Sequence, residues 1–280
     1  RMEPIPRSRH PYFERLLEFR AHAWDQSSGD IPIGRWAEFF PKSTKKIVYE
    51  IGCSNAQFLC EIAKANPHVG FVGLDWKFKV LYRGAQRIAA EQLKNVGLIR
   101  GLVQNSNHFF SENEVDEIWI FFPDPWAKVA QLKNRIMNET QLVQLAKLLK
   151  PGGRIYFKTD HPGYYQWVHA LFGQPLPRVG HYDPLADAQV KAGARSRRIK
   201  QVKVRLPAGS LRGDIPPESV LLKRVFEFEY AATLPAEEFG SSSCFTSHKT
   251  LFEKVFEKEG LPGYGIQLLR NSESANRIHD

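Results

Sequence analysis

Four acidic residues lie at the ends of short apolar runs, where packing alone gives no reason for a charge. They are Glu50, Asp75, Asp124 and Asp160, each at or just after a stretch that predicts a β-strand. Burying an unpaired carboxylate is costly, so four of them in equivalent positions indicate a bound ligand rather than sheet packing. Carboxylates accept hydrogen bonds and attract cations, so the expected ligand carries hydroxyl, amino or positively charged groups.

One of these acids, Asp124, stands between two prolines in the segment IFFPDPWAK, residues 120–128. Proline fixes its own φ angle, donates no backbone hydrogen bond and pushes the preceding residue into an extended conformation. A central strand therefore ends by Phe122. Asp124 is then held on a stiff loop at the carboxyl end of that strand, which predicts a binding or catalytic role for its carboxylate.

Short strands that alternate with helices would position these acids. The predicted strands are KKIVYEIG (45–52), VGFVGLD (69–75), VGLIRG (96–101), VDEIWIFF (115–122) and RIYFKTD (154–160). The predicted helices between them are AQFLCEIAKAN (56–66), FKVLYRGAQRIAAEQL (78–93) and ETQLVQLAKLLKPGG (139–153), the last closed by Lys-Pro-Gly-Gly. This alternation predicts a doubly wound α/β sheet of parallel βαβ units. Ligands of such sheets bind at the carboxyl ends of the strands.

The rest of the chain divides around this central region. We expect an N-terminal extension over residues 1–45 that is partly helical, with a helix from Tyr12 to about Trp24. The main domain is expected over residues 46–280, with an extended insertion at about 173–245. The stretches SVLLKRVFEFEYAA and GYGIQLLR predict late strands, and the basic run at 191–205 is a candidate contact to a polyanion.

Composition limits the partners and the compartment. The chain has 280 residues and a net charge of +9, which favours a polyanionic partner such as nucleic acid. Cys53, Cys60 and Cys244 show no zinc-ligand or disulfide spacing, so we expect no metal and a reducing cytoplasm. No apolar run is long enough to span a bilayer, so a membrane partner is not expected.

The turn after the first predicted strand, EIGCSNAQF, restricts the ligand further. A dinucleotide-binding turn has the pattern G-x-G-x-x-G, in which glycines let a pyrophosphate approach the helix N-terminus. Here only Gly52 is present, with Ser54 and Ala56 at positions where glycines would be expected. This argues against NAD or FAD and favours a ligand that approaches the backbone closely without a phosphate.

The acids beside this turn suit such a ligand. Glu50, close to Gly52, suits a ligand with a positive end, such as the amino group of an amino acid. Asp75, 25 residues later, is placed to accept hydrogen bonds from ribose hydroxyls. Trp76 could pack on an adenine ring. A ribose together with an ammonium group and no phosphate describes S-adenosylmethionine.

The same segments resemble, in order, a known family: the tRNA (guanine-N7-)-methyltransferases, within the class I S-adenosylmethionine-dependent methyltransferases. The resemblance covers about residues 46–170, and FPDPW followed by a lysine two residues on is its most specific part. It rests on YEIGCSNAQFLCEIAKANP, FVGLDWK, NVGLIRG, IFFPDPWAK, LLKPGGRIYFKTD and, at 250–254, TLFEK. It implies a Rossmann-like class I methyltransferase sheet, mostly parallel with a late antiparallel strand and helices on both faces. It also implies an enzyme that transfers a methyl group from S-adenosyl-L-methionine to N7 of a variable-loop guanosine in tRNA.

The resemblance implies roles for individual residues where they match the family pattern. Asp124 corresponds to the catalytic acid between the methyl donor and the guanine. The residues that we predict to bind the cofactor are Glu50, Gly52, Asp75, Trp76, Leu102 and Asp124. Those that we predict to bind the tRNA or its target nucleotide are Lys128, Lys133, Arg135, Asp160, Thr250 and Glu253.

Departures from the family pattern keep other functions open. After the third strand the family usually has Gly-Asp-Ala, whose acid contacts adenine, whereas this chain has Gly101-Leu102-Val103. Adenine must therefore be recognised by backbone groups or by Gln104 or Asn105. One alternative is an S-adenosylmethionine-dependent methyltransferase of another RNA or of a small molecule. The other is a non-catalytic tRNA-binding relative. A monomer and a homodimer are both compatible with the sequence.

Overall fold

The computed structural model describes residues 11–126, 131, 134–172, 228–233, 250, 254 and 264–270. The strands are β1 (Ala23–Asp25), β2 (Lys46–Ile51), β3 (Val69–Asp75), β4 (Val96–Arg100), β5 (Val115–Phe121), β6 (Leu149–Thr159), β7 (Phe228–Thr233) and β8 (Tyr264–Arg270). The helices are α1 (Tyr12–Leu17), α2 (Trp36–Phe39), α3 (Gln57–Ala65), α4 (Phe78–Ala90), α5 (Glu139–Leu148) and α6 (Pro162–Leu171). A 3₁₀ helix spans Val103–His108.

The strands form one sheet in the order β1-β4-β3-β2-β5-β6-β8-β7. Pairing is parallel from β1 to β6, whereas β8 runs antiparallel to both β6 and β7. The winding direction reverses between β2 and β5, which places a switch point, and hence a ligand crevice, at their carboxyl ends. The predicted doubly wound sheet, mostly parallel with a late antiparallel strand, is therefore confirmed.

Alternating side chains of the central strands fill two cores, one on each face of the sheet. On β2, Tyr49 and Ile51 pack with apolar residues of α5 and α6, whereas Val48 packs with those of α3 and α4. Glu50 stands between Tyr49 and Ile51 and shares the face of Val48. Its carboxyl group therefore points toward the side of the sheet that α3 covers.

The predicted helix from Tyr12 to about Trp24 is wrong in its second half. Helix α1 ends at Leu17, and β1 pairs in parallel with Leu98–Arg100 of β4. Trp24 is 4% exposed, because its ring packs edge-on against Trp36 at a centroid distance of 5.5 Å. Pairing with β4 and burial of this indole override the local preference for a helix.

The boundary between α5 and β6 also differs from the prediction, which closed the helix with Lys-Pro-Gly-Gly. Strand β6 begins at Leu149 rather than at Arg154, and its pairing with β5 shifts register between Val115 and Glu117. Extra residues on one strand form a β-bulge, and Gly152 supplies a φ of +76° there. The glycines therefore belong to an irregular strand start.

Three observations on the described residues bear on partners and compartment. No helix in this part of the chain is both long and apolar enough to cross a bilayer. The same residues contain no group of three or more His, Cys, Asp or Glu side chains placed to hold a metal ion. Cys53 and Cys60 are buried free thiols, and Cys244 lies outside the described residues.

Candidate functional site

The sheet brings the four strand-end acids to one edge. Strands β3, β2, β5 and β6 are neighbours and run in the same direction. Glu50, Asp75, Asp124 and Asp160 lie at or just after the carboxyl ends of these strands. They therefore share one edge of the sheet, as the alternation of strands and helices predicts, whereas the role of each residue stays a prediction.

The turn after β2 has the backbone of a glycine-rich loop with only one glycine. The φ angles of Gly52, Ser54 and Ala56 are +88°, +52° and +52°. The left-handed region costs a residue with a side chain about 1–2 kcal/mol, so the two substituted positions are strained. In this conformation the N–H of Ser54 donates to Asp75 Oδ2 at 3.0 Å. The turn therefore connects the ends of β2 and β3.

Replacing Ser54 with glycine should stabilise the protein. Ser54 is exposed, and its hydrogen bond to Asp75 comes from the backbone, so the change removes strain and keeps the contact. We expect the free energy of unfolding to rise by about 0.5–1 kcal/mol, which thermal unfolding would detect. Ser111 is also exposed and has no positive φ, so Ser111→Gly should lower stability. An equal loss in both variants would contradict the strain at Ser54.

A cavity of about 150 Å³ lies between β2, β5 and α3 at the same edge. Its lining includes Glu50, Gly52, Phe121, Phe122 and Thr250. Sites that enclose a whole small molecule usually measure about 300–1,000 Å³, so this cavity fits one end of a larger ligand. The rest of such a ligand would extend along the open edge of the sheet.

Glu50 is a buried carboxylic acid in the lining of this cavity. It is 6% exposed, and its Oε2 atom has no hydrogen-bond partner among the described residues. Burial, with a smaller contribution from the charge of Asp75, raises the pKa of Glu50 to about 8. A buried polar atom without a partner is costly. The carboxyl group is therefore ready to accept an N–H donor or a cation that enters the cavity.

Asp75 and Trp76 lie beside the cavity at the end of β3. Asp75 accepts hydrogen bonds from the backbone N–H groups of Ser54, at 3.0 Å, and Lys77, at 2.9 Å. Burial raises the pKa of Asp75, and these two donors act in the opposite direction. Trp76 is 57% exposed and has the ammonium group of Lys77 at 5.6 Å from its ring centroid. A largely exposed indole therefore adjoins a carboxylate, an arrangement that suits a contact to a nucleoside.

The segment after β4 is tied to the N-terminal part of the chain. Gln26 Oε1 accepts hydrogen bonds from the N–H of Leu102, at 3.2 Å, and from Asn105 Nδ2, at 2.9 Å. Asn105 is 1% exposed, whereas Gln104 is exposed. The Leu102 N–H and the Asn105 amide, both predicted as possible adenine contacts, are therefore engaged by Gln26.

The loop that carries Asp124 has a strained backbone. Phe122 and Trp126 have φ angles of +52° and +43°, which are rare for bulky residues. The N–H of Phe122 donates to the carbonyl of Lys158 at 2.8 Å, so pairing with β6 continues one residue beyond Phe121. Strained backbone of this kind is concentrated at functional sites. Here it presents the exposed Asp124 at the edge of the sheet.

Arg135 supports this loop from inside the protein. Its side chain is 4% exposed, and Nε donates to the carbonyl of Pro125 at 2.8 Å. The guanidinium lies 4.6 Å from the ring centroid of Tyr164 and 4.9 Å from that of Trp167. We predicted a tRNA contact for Arg135, but in this position it faces the loop and the aromatic rings of α6. The geometry favours a positioning role.

Replacing Arg135 with alanine should separate these two roles. Loss of the bond to Pro125 should loosen the Asp124 loop and reduce the rate of the methyl transfer predicted from the sequence about 10- to 100-fold, since small misplacements of reacting groups lower the rate strongly. The affinity for the predicted tRNA partner and its salt dependence should stay the same, because a buried arginine neutralises no phosphate. Filter binding at several salt concentrations would check this. A salt slope reduced by about one would instead assign Arg135 to the tRNA backbone.

A distant segment closes the cavity on the side of α3. Thr250 is 6% exposed and lines the cavity together with Lys254. The Lys254 ammonium group lies 3.6 Å from Glu61 Oε2 on α3, and Gln57 donates to the other oxygen of Glu61 at 3.1 Å. Thr250, the first residue of the TLFEK segment, therefore lies at the same cavity as Glu50.

Some predicted site residues receive no structural account. Lys128, Lys133 and Glu253 lie outside the described residues. Asp160 is half-buried directly after β6. The sequence alone did not identify Glu61 and Lys254 as residues of this site. Their opposite charges were visible, but nothing in one sequence shows that residues so far apart meet.

Comparisons with known proteins agree with this arrangement. A family model described as a putative methyltransferase matches residues 44–192, 149 of the 280 residues. The tRNA (guanine-N(7)-)-methyltransferase of Enterococcus faecalis is 31% identical over 186 residues, covering 62% of this chain and 86% of that protein. That of Christiangramia forsetii is 39% identical over 127 residues, covering 45% of this chain and 57% of that protein.

One further relative is matched over a smaller share of its length, and one solved structure at much lower sequence identity. A bifunctional glycosyltransferase/methyltransferase of Fusobacterium nucleatum subsp. nucleatum is 36% identical over 161 residues, which are 57% of this chain and 25% of that protein. A solved 16S rRNA methyltransferase is similar at a TM-score of 0.48 and 13% identity, over 85% of this chain and 93% of that one. The strand order described above identifies the fold independently of this similarity. Because the family model covers more than half of the chain and the Enterococcus faecalis protein is matched over most of its length, the chain belongs to the tRNA (guanine-N7-)-methyltransferase family.

Proposed function

We propose that this chain transfers a methyl group from S-adenosyl-L-methionine to N7 of a guanosine in the variable loop of tRNA. The observation that carries the proposal is the convergence of three separate segments on one cavity. The end of β2 and the turn after it supply Glu50 and Gly52, whereas the loop after β5 supplies Phe122 and the late segment supplies Thr250. A donor site and an acceptor site that meet in this way are what group transfer between two bound molecules requires.

The residues present suit the methyl donor. When bound, S-adenosylmethionine supplies an electrophilic methyl group on a positively charged sulfur. The buried Glu50, whose Oε2 atom has no hydrogen-bond partner in the part of the chain that the structure describes, would hold its ammonium end. The positive φ angles of the turn permit close approach to the backbone. Asp75 would hold the ribose hydroxyl groups, and Trp76 would cover the adenine ring.

The acceptor side needs positioning rather than proton transfer. Guanine N7 carries a lone pair and no proton at neutral pH, so the protein has only to hold it in line with the methyl group. Asp124 would stabilise the positive charge that develops on the purine. Asp160 and Glu253 are suited to accept hydrogen bonds from N1 and the 2-amino group, and Thr250 can bond to a phosphate or base edge. The guanosine must leave its stack to enter such a site.

Nucleoside analysis tests the proposal directly. The chain is incubated with a donor labelled in the methyl group and with tRNA from cells that lack 7-methylguanosine, and the digested tRNA is separated into nucleosides. We expect the label in 7-methylguanosine. Label in another nucleoside would identify a different RNA methyltransferase, and tRNA binding without label would indicate a non-catalytic relative.

One observation favours the non-catalytic alternative. Leu102 stands where the family usually has an acid, and its N–H is taken up by Gln26, which leaves fewer groups to recognise adenine. Calorimetric titration with S-adenosylhomocysteine separates the possibilities. An enzyme of this family should bind it, whereas a relative that has lost the donor site should give no heat.

The compartment and the assembly belong to the same proposal. We place the protein in the cytoplasm, since the thiols of Cys53 and Cys60 are free and buried, as in a reducing environment. A monomer and a homodimer both stay compatible with the proposed function. Size-exclusion chromatography with light scattering would distinguish them.

A further inference from the structure

Helix α4 carries a row of positive charges on the side turned away from the sheet. Lys77 precedes the helix, Lys79 lies in its first turn and Arg83 one turn further, and all three are exposed. Lys79 and Arg83 are four residues apart, so they lie on one face about 6 Å apart along the axis. We call Lys79 and Arg83, together with Lys77 just before the helix, the basic face of α4.

Acidic residues do not neutralise this face within the helix. The sequence of α4, FKVLYRGAQRIAA, contains no Asp or Glu. Among the described residues, neither Lys79 nor Arg83 has an ion-pair partner within 4 Å. An uncompensated row of cations on a helix attracts polyanions, which agrees with the net charge of +9 for the whole chain.

The position of these cations in the helix disfavours a purely structural explanation. The N-terminus of a helix carries a partial positive charge, so cations near it are unfavourable and acids favourable. Helix α5 follows this rule, with Glu139 in its first turn and Lys147 in its last. Helix α4 departs from the rule at its start, where Lys77 and Lys79 lie, although Arg87 in its last turn follows it. Local arrangements that oppose stability are expected at functional sites.

The basic face begins where the proposed donor site ends. Asp75, the last residue of β3, accepts a hydrogen bond from the N–H of Lys77 at 2.9 Å. The row then runs from this edge along the outside of α4, because the buried residues of the helix, such as Leu81 and Ala85, face the sheet. A polyanion on this face would therefore extend to the edge at which the acids gather.

We propose that the basic face of α4 binds the phosphate backbone of the RNA substrate next to the donor site. The inference rests on the proposed function, since the partner at this face is the same tRNA. No predicted site residue lies on the face. The basic face of α4 contacts phosphate groups and does not recognise bases, so it contributes affinity and orientation rather than the choice of nucleotide.

Charge reversal with a matched control tests this inference. In Lys79→Glu/Arg83→Glu, the dissociation constant for tRNA should rise at least about 10-fold at low salt. The slope of log affinity against log salt concentration should fall by about one to two. Lys42 and Lys45 are exposed just before β2, at the opposite edge of the sheet. Lys42→Glu/Lys45→Glu makes the same change in charge and should leave affinity and slope close to those of the wild type.

Two further measurements keep the outcome unambiguous. Binding of S-adenosylhomocysteine should be unchanged in the α4 variant, and its melting temperature should not fall, because an acid in the first turn of a helix is favourable. Lys79→Ala/Arg83→Ala should give a smaller loss of tRNA affinity. Wild-type affinity and slope in the α4 variant, or an equal loss in the Lys42/Lys45 variant, would overturn the inference and leave the proposed function intact. A wild-type chain that binds no tRNA would overturn both.

Discussion

Replacing Asp124 with alanine is expected to reduce the single-turnover rate of methyl transfer at least about 100-fold. The exposed Asp124 is held at the edge of the sheet by strained backbone at Phe122 and Trp126. Its charge would oppose the positive charge that develops on the purine, and this interaction is made mainly in the transition state. Affinity for S-adenosylhomocysteine should therefore stay the same, since the cavity that contains Glu50 is unaffected. Single-turnover methylation and calorimetric titration measure the two quantities.

Two further variants show whether the charge of Asp124 is responsible. Asp124→Asn keeps the shape of the side chain and removes its charge, so it should lose nearly as much rate as the alanine variant. Glu112 is an exposed acid in the loop before β5, at the opposite edge of the sheet, and Glu112→Gln should transfer methyl groups at the wild-type rate. Near-normal turnover in Asp124→Ala would refute the role given to this residue.

The edge of acids could be predicted because it follows from local patterns. Apolar runs and helical spacing are visible within about ten residues, and parallel βαβ topology then determines where every strand ends. Glu50 and Asp75 were placed together in this way, and the turn between them connects their strands through Ser54. The two prolines around Asp124 likewise predicted a loop, because their constraint on the backbone is independent of the fold.

Contacts between distant segments could not be predicted, because no periodicity encodes them. Gln26 takes up the N–H of Leu102. Arg135 turns inward to the rings of Tyr164 and Trp167, although its charge suggested an RNA contact. The turn after β2 shows the same limit. Without glycine at position 54, the sequence did not indicate a left-handed backbone there, yet the bond from Ser54 to Asp75 accompanies that conformation.

Replacing Glu50 with glutamine should strongly weaken donor binding and at the same time stabilise the empty protein. An amide cannot offset the charge of the donor's ammonium group, and losing one partner of a buried charge pair should weaken binding of S-adenosylhomocysteine at least about 30-fold. In the wild type, affinity should rise between pH 6 and pH 8 and then level off, because burial raises the pKa of Glu50 to about 8. Calorimetry across this range should show a proton released on binding at pH 7, and the variant should lack this pH dependence.

The effect on stability has the opposite sign from the effect on binding. The ordinary pKa of Glu50 is 4.5 and its pKa in the folded chain is about 8. The folded chain therefore keeps a proton that the unfolded chain releases between these values, so wild-type stability falls as pH rises through this range. Glu50→Gln removes this effect and should be more stable than the wild type by roughly 1–3 kcal/mol at pH 8. Thermal unfolding from pH 5 to pH 8.5 measures the difference.

A second buried carboxylate provides the control for this prediction. Glu117 is 2% exposed, but it forms an ion pair with Lys46 and accepts a hydrogen bond from Trp119 Nε1 at 2.9 Å. Glu117→Gln should therefore lose roughly 1–3 kcal/mol of stability and bind S-adenosylhomocysteine normally. The two variants make the same chemical change at equal depth and differ only in whether the protein supplies a partner. If Glu50→Gln were also destabilised, or bound the ligand as tightly as the wild type, Glu50 would be a structural residue rather than the contact to the donor.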